Sequence, residues 1–450
     1  MKKVLFYPLA VAAILSITSC SDDDNNGREN NGGQASAETN TEATTDYDFN
    51  DAARRITLSG TSATADHESV KTEGSKVTIT EEGTYVISGS LANGQLVIDA
   101  DNNDMVKILL NGANITSSSA PAIDIENAEK VVIKTATGSE NNLADGTSNP
   151  QDAAIYSKTK LTIFGAGSLH VDGNKNRAIY SEGGIIFRDA NLTLTAPGDA
   201  VKTNFNLTFF GGDYTIASSG DGFNVKNEVA VSSADIHISQ VNEGFEAGTF
   251  NLISGNIDIS SQGNGIAVTG EGAKNSSSEL YISGGSVYIN AAKTGFLVNG
   301  SIGISGGTVV IESANDSTSP SLGYNGNFKI DGGYLIAMNN RSNIDLPNNT
   351  LSQQNSVAVN FASSVSGDTI VHIQDVDGKD VATFKPEKTF NTILISAAAF
   401  EKNETYKLYT GGSVNGDFIN GLYQVLNYTN GNLMATFEIG NALTIVDANN

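Results

Sequence analysis

The chain has 450 residues, with 50 Asp and Glu against 26 Lys and Arg and a formal charge of −24. Such a balance, with no basic patch in the sequence to match a phosphate backbone, argues against nucleic acid as a partner. A single cysteine, Cys20, excludes an intramolecular disulfide, and a thiol catalyst would have to be that residue.

Met1-Lys2-Lys3 is a positive n-region, and Val4 to Ile17 is an apolar stretch too short to span a bilayer. Ile17-Thr18-Ser19-Cys20 resembles a lipobox, so residues 1–19 read as a lipoprotein signal peptide and Cys20 as the lipidated residue. Ser21-Asp22-Asp23-Asp24 resembles the acidic surface-export signal of Bacteroidota lipoproteins, a plain solvated linker being the alternative. Residues 20–46 carry almost no large apolar side chains and read as a disordered tether. No other long apolar run follows. The expected location is the outer membrane, held by lipid and displayed on the cell surface.

From residue 47 to 346 a repeat dominates. An acidic or amide residue, then Ala or Gly, then a large apolar residue recurs, as in Gly198-Asp-Ala-Val201, Gly220-Asp-Gly-Phe223 and Asn242-Glu-Gly-Phe245. The apolar members fall at 155, 179, 201, 223, 245, 266 and 296, in steps of 24, 22, 22, 22, 21 and 30. A fixed period in the 20s marks a solenoid, whose repeats bury their apolar faces only against one another. After Val201, apolar residues alternate with polar ones at Leu207 and Phe209 and again at Tyr214 and Ile216; Phe223 and Phe296 begin the same pattern. Three short strands per turn with no intervening helical period predict a parallel β-helix. Gly211-Gly212, Ser254-Gly255, Gly284-Gly285, Gly306-Gly307 and Gly332-Gly333 separate the second and third strands and read as corners.

After Pro347 the period ends. Strands are predicted at 356–361, 369–374, 381–385, 392–396 and 405–409, with an Asp-Gly hairpin turn at Asp377-Gly378. Residues 347–450 read as a β-rich module capping the open end of the helix, since an exposed terminal rung would template aggregation. The expected fold is all-β, a right-handed parallel β-helix with three short strands per ~22-residue rung and a small C-terminal antiparallel module.

Thr78 to Gly89, Val106 to Ile115, Asn142-Leu-Ala-Asp145-Gly146 and Ala153 to Gly167, followed by the Asp-Gly/Ala-apolar repeats, carry a resemblance. Over roughly residues 55–425 the chain resembles the calcium-binding, carbohydrate-binding parallel β-helix family first described from a cellulolytic clostridium. That resemblance implies a pectate-lyase-like fold in a binder of cellulose or acidic sugar polymers, with Ca²⁺ as the cofactor.

Set in register, the position two before the apolar residue runs Ala153, Arg177, Asp199, Asp221, Glu243, Asn264, Thr294. Rungs of a parallel sheet lie about 4.8 Å apart, so Asp199, Asp221 and Glu243 should form an acidic ladder. Carboxylates at ~5 Å repel by roughly 3 kcal/mol at an effective dielectric of 20 and by under ~1 kcal/mol in water. Ca²⁺ would relieve that with loose oxygen coordination; acids that cap corner amides in water are the alternative. The Ala or Gly that follows reads as the floor of a shallow groove. Tyr156, Arg177, Tyr180, Lys202, Asn224 and Glu246 would flank it and hold an extended polysaccharide.

Against the family, Asn264, Thr294 and Arg177 interrupt the acidic column, and Lys202-Thr203-Asn204 replaces the frequent Gly-Lys-Asp phrase. Fewer metal sites are therefore expected, near residues 199–243. Asp99 to Asp104 and Asp375 to Asp380 superficially match calcium loops but read as structural turns. The histidines His67, His170, His237 and His372 are scattered, and no G-x-S-x-G occurs. The sequence points to non-catalytic polysaccharide binding. An adhesin or spacer solenoid and a calcium-dependent polysaccharide lyase, with Arg177 or Lys202 as base, are the alternatives.

Overall fold

The computed structural model describes residues 42–49, 53–269, 278–314, 316, 318–341, 344–419, 421–429 and 431–448. The leader, Cys20 and the run Asp22 to Asp24 lie outside these residues.

Strands of the solenoid stack in two long sheets. A 12-stranded front sheet collects one short strand from each coil, and a 23-stranded sheet collects the others and bends to make the second and third faces. In the front sheet Ile155 pairs with Ile179, then Val201, Phe223, Phe245, Ile266, Phe296 and Leu322, all in parallel register. The sequence period is thus one coil of chain, and every member of that column is fully buried. Phe223 and Phe245 stack with centroids 4.8 Å apart at 12°. Each such side chain contributes about 1.5–3 kcal/mol of burial, and the next rung supplies the contact that its own coil cannot.

Two residues further on, the inward column begins with hydroxyls. Ser157 and Ser181 are buried and donate to the Thr159 carbonyl at 2.8 and 2.9 Å, and Thr203 donates to the Gly183 carbonyl. These bonds satisfy corner carbonyls that the coil cannot reach. The glycine corners follow expectation: Gly285 adopts φ +76°, and a Cβ there would meet the Gly255 carbonyl oxygen at 2.5 Å. Only glycine fits such a stacked corner.

At both ends an antiparallel strand adds to the terminal coil. Arg54–Gly60 turns back on Ser62–Ala65 at the first coil. At the other end the last coil strand, Tyr334–Asn339, pairs antiparallel with Phe390–Ser396, which pairs with Ser356–Val365, itself parallel to Leu443–Ala448. A separate six-stranded antiparallel sheet completes the C-terminal module. It includes the predicted hairpin, with Gly378 at φ +88° between Val371–Asp375 and Asp380–Phe384. It also includes Ser413–Ile419, Leu422–Thr429 and Asn432–Glu438, which carry too little alternation to be read from sequence.

One expectation needs correcting. Residues 42–46, assigned to the disordered tether, belong to an ordered segment. Thr44–Tyr47 forms a 3-10 turn laid against the second face of the solenoid. Glu42 and Asp46 pair with Lys130, the latter at 2.7 Å, and Lys107 Nζ donates to the Thr45 and Asp48 carbonyls at 2.8 Å each. A polar composition predicted disorder; buried lysines on the facing strands supply the ordering energy instead.

Candidate functional site

The acidic column forms, and its oxygens have partners within the sheet edge. Asp221 N–H donates to Asp199 Oδ1 at 3.1 Å, and Glu243 N–H donates to Asp221 Oδ1 at 3.1 Å. Asn264 Nδ2 donates to Glu243 Oε1 at 2.7 Å, and Thr294 N–H to Asn264 Oδ1 at 3.2 Å. Each side chain therefore caps the rung that follows it. Asn264, which interrupts the run of acids, continues the hydrogen-bond ladder without the charge. At the other end Arg177 Nε lies 3.5 Å from Asp199 Oδ2, the cationic relief such a stack requires.

The column after the apolar residue also holds register: Asp124, Tyr156, Tyr180, Lys202, Asn224, Glu246, Ala267. Tyr180, Lys202, Asn224 and Glu246 are half-buried and outward. Arg177 sits over the Tyr180 ring, 5.6 Å from its centroid, and Asn204 Nδ2 donates to the Tyr180 hydroxyl at 3.2 Å. Asn224 Nδ2 bridges two acids, Glu246 Oε2 at 2.9 Å and Asp221 Oδ2 at 3.4 Å. Tyr156 differs from expectation. It is 8% exposed, packs edge-on to Tyr180 at 5.6 Å and gives its hydroxyl to Glu182, so it braces Tyr180 instead of offering a free ring. Glu182 lies in a turn outside the repeat phrase, where periodicity could not mark it.

The groove floor is a second correction. Ala154, Ala178 and Ala200 are fully buried, and a Cβ at Gly244 would come 2.7 Å from Ile259 Cγ2 and 2.6 Å from the Gly265 carbonyl. The small residues face the core. Strict alternation fails because the chain bends at this corner: the N–H groups of Ala178 and Ile179 both donate to the Ala200 carbonyl, at 3.1 and 3.0 Å. Two successive residues then point inward, and only Ala or Gly fits beneath the third-strand isoleucines. An open depression of about 320 Å³ lies around the preceding corner instead, lined by Asn174, Thr195, Pro197, Ser219 and Gln240. Ser218, also in its wall, donates to the Asp221 carbonyl at 3.0 Å.

Burial and mutual repulsion push these acids upward. Desolvation, reinforced by Asp221 and Glu246, raises the Glu243 carboxyl to about 7. Desolvation and then Asp199 raise Asp221; desolvation, Asp221 and Asp199 raise Glu246, with Lys202 opposing. Asp124, at the head of the outward column, is raised to about 6 by burial and by Glu126, and its Oδ1 is buried without a hydrogen-bond partner. Among the described residues no three His, Cys, Asp or Glu side chains gather as a metal site. His237 lies 3.8 Å from Asp258 on the third face, and His372 lies in the C-terminal sheet against Thr383 at 2.7 Å.

The family model for carbohydrate-binding domain-containing proteins matches residues 73–317, just over half of the chain and the rungs from Ile155 to Phe296. The chain belongs to that family. A carbohydrate-binding domain-containing protein of Acetivibrio thermocellus is 36% identical over 129 residues, which are 27% of this chain and 45% of that relative. The match therefore spans less than half of the relative's length. Among solved structures, a polysaccharide lyase-like protein from C. thermocellum is 22% identical and covers 62% of this chain and 96% of its own, with a TM-score of 0.40. The family match ends before the C-terminal module begins.

Proposed function

We propose that the chain binds an extended polysaccharide along the outward column of the front sheet and catalyses no reaction on it. The observation that carries this reading is the unbroken register of Tyr180, Lys202, Asn224 and Glu246, which sets one ring and three polar groups one rung apart on successive strands. A polymer laid along the solenoid axis meets these groups at regular intervals, and Tyr156, Arg177 and Asn204 hold Tyr180 in place. Arg177, one of the two bases a lyase could use, is engaged with Asp199 and Tyr180, which supports binding; Lys202 is the other candidate base.

Calcium belongs to the same proposal. The donor set of Asp199, Asp221, Glu243 and Glu246 is all carboxylate, and beyond Arg177 at one end burial and mutual repulsion still raise Asp221, Glu243 and Glu246, which suits a hard cation. Asp199 Oδ2 faces Arg177 and Glu243 Oε1 accepts from Asn264, whereas Asp221 Oδ2 and Glu246 Oε2 share the Asn224 amide between them, so the ion would rest mainly on Asp221 Oδ2 and Glu246. The Asn224 amide, turned over, adds its oxygen. Bound there, Ca²⁺ would supply a positive centre for sugar hydroxyls or carboxylates. Display from the outer membrane through lipidated Cys20 completes the proposal and rests on the leader motif.

Affinity electrophoresis of the mature protein in gels containing polygalacturonate or hydroxyethylcellulose, with and without chelator, tests the reading. Retardation that Tyr180→Ala abolishes is the expected result. Unretarded migration in both polymers sinks it and leaves the adhesin or spacer solenoid. Release of unsaturated uronate, read by ultraviolet absorbance, would replace the binder with a lyase. Detergent-phase partitioning lost in Cys20→Ala checks the anchor.

A further inference from the structure

On the second face an outward column alternates cations with rings. Lys134 pairs in register with Phe164, Phe164 with Arg188, and Arg188 with Phe210. Lys134 Nζ lies 5.5 Å from the Phe164 centroid, and the Arg188 guanidinium lies 4.4 Å from that of Phe210. Lys130 and Lys160 flank the column on the same strands and Lys107 on the strand before it. In a chain with 50 acids and 26 bases, this concentrates positive charge on one surface.

Its occupant is the segment 42–49, which is acidic and aromatic in turn. Tyr47 packs edge-on to Phe164 at 5.0 Å and under Arg188 at 4.9 Å. Phe49 packs on Phe164 at 5.6 Å and under Lys134 at 5.2 Å. Glu42 takes Lys130, Lys160 at 3.7 Å and the Thr162 hydroxyl at 2.7 Å. Even so, Arg188 Nε is buried with no hydrogen-bond partner. The segment fills the face with carboxylates over cations and planar rings over rings, yet leaves one guanidinium N–H without an acceptor.

We infer that this cation–ring column is a second binding site, specific for a carboxylated polysaccharide, which the segment 42–49 occupies in competition. Uronate carboxylates match Lys134 and Arg188 as charge-assisted acceptors, and the C–H faces of sugar rings match Phe164 and Phe210. The front column, bordered by Asp199, Asp221, Glu243 and Glu246, repels the same polymer unless a cation intervenes. The inference rests on the reading above only in taking a polysaccharide as ligand, and it assigns the acidic class to a different face. Because an occupied face reduces apparent affinity by the fraction open, loosening the segment should tighten binding.

Isothermal titration at low salt with oligogalacturonate and with cello-oligosaccharide separates the two faces. Glu42→Gln/Asp46→Asn and, independently, Tyr47→Ser/Phe49→Ser should each strengthen oligogalacturonate binding by about five- to thirtyfold and leave cello-oligosaccharide binding unchanged. Faster chymotrypsin cleavage within the segment reports that it has opened. Adding Lys134→Ala/Arg188→Ala should remove the gain. An opened segment with no gain in oligogalacturonate affinity overturns the inference, as does a gain that survives loss of Lys134 and Arg188. Cello-oligosaccharide binding that persists in either case leaves the front-face reading standing. A gain on opening, in a protein that binds no polymer through Tyr180, upholds this site and removes the other.

Discussion

Asp221 caps Glu243: its Oδ1 accepts the Glu243 backbone N–H at 3.1 Å and, from the same following rung, Asn242 Nδ2 at 3.1 Å. The residue singled out as a metal ligand is thus also a structural acceptor. Asp221→Ala should lower stability by about 1–3 kcal/mol, since it leaves the N–H of half-buried Glu243 without its partner. Asp221→Asn, which keeps an acceptor oxygen, should remain within about 1 kcal/mol of the parent. Chemical denaturation in chelator checks both. Equal losses for the two variants would mean that the charge, not the cap, matters there.

Calcium stoichiometry divides the same acids differently. Asp221→Asn and Glu246→Gln should each reduce bound calcium, measured by elemental analysis after dialysis, whereas Glu243→Gln should not. A loss confined to Glu243→Gln would move the ion to the ladder itself.

The raised carboxyls give stability a definite slope with pH. Glu243 rises from 4.5 to about 7 on folding, so the folded state holds a proton that the unfolded chain has released across that window. Stability then falls as pH increases from about 4.5 to about 7, because the unfolded state binds fewer protons there. Asp124, raised from 3.8 to about 6, acts in the same direction slightly lower. Without metal, the midpoint of thermal unfolding should rise as pH falls from 7 towards 5, and Glu243→Gln should flatten that rise. A midpoint constant across the window in the parent would contradict it. Glu42 acts oppositely and at lower pH. Burial opposes its charge, but hydrogen bonds from Lys130, Tyr47 and Thr162 prevail and lower it, so its contribution is lost only in acid.

Gly244→Ala tests the orientation of the small column. With a Cβ 2.7 Å from Ile259 Cγ2, overpacking should cost about 1–3 kcal/mol. A neutral outcome in equilibrium unfolding would return these residues to the surface.

At the junction with the C-terminal module, buried Glu312 accepts the N–H groups of Glu387 at 2.8 Å and Lys388 at 3.0 Å. Lys388 Nζ donates to the Ala291 carbonyl at 2.5 Å, and burial lowers its ammonium to about 8. Glu312→Ala should expose the loop around Lys388 to trypsin while the front sheet stays protected. Unchanged cleavage there would show that the module holds without this contact.

The repeat made the front face legible because parallel pairing turns a 22-residue period into adjacency: Asp199, Asp221 and Glu243 are neighbours for the same reason that Val201, Phe223 and Phe245 are. Reading failed where the coil departs from its period. At Ala178 and Ala200 a corner breaks the alternation, so a correct column was given the wrong side. Tyr156 lost its exposure to Glu182, a turn residue with no counterpart in the phrase. The contacts of Glu42 with Lys130 and Thr162 join residues 88 and 120 positions apart, and nothing periodic connects them. Polar composition described residues 42–46 well and missed what they pack against.

The segment 42–49 also changes how the molecule answers a mechanical pull. Tension applied on the N-terminal side of residue 42 would meet this clasp first, gripped by Lys107, Lys130 and Arg188 on three separate strands. The hairpin Arg54–Ala65, the end from which coils could be peeled one by one, would stay slack behind it. Were the chain pulled from that side, the load would fall on contacts to several coils before it reached the first.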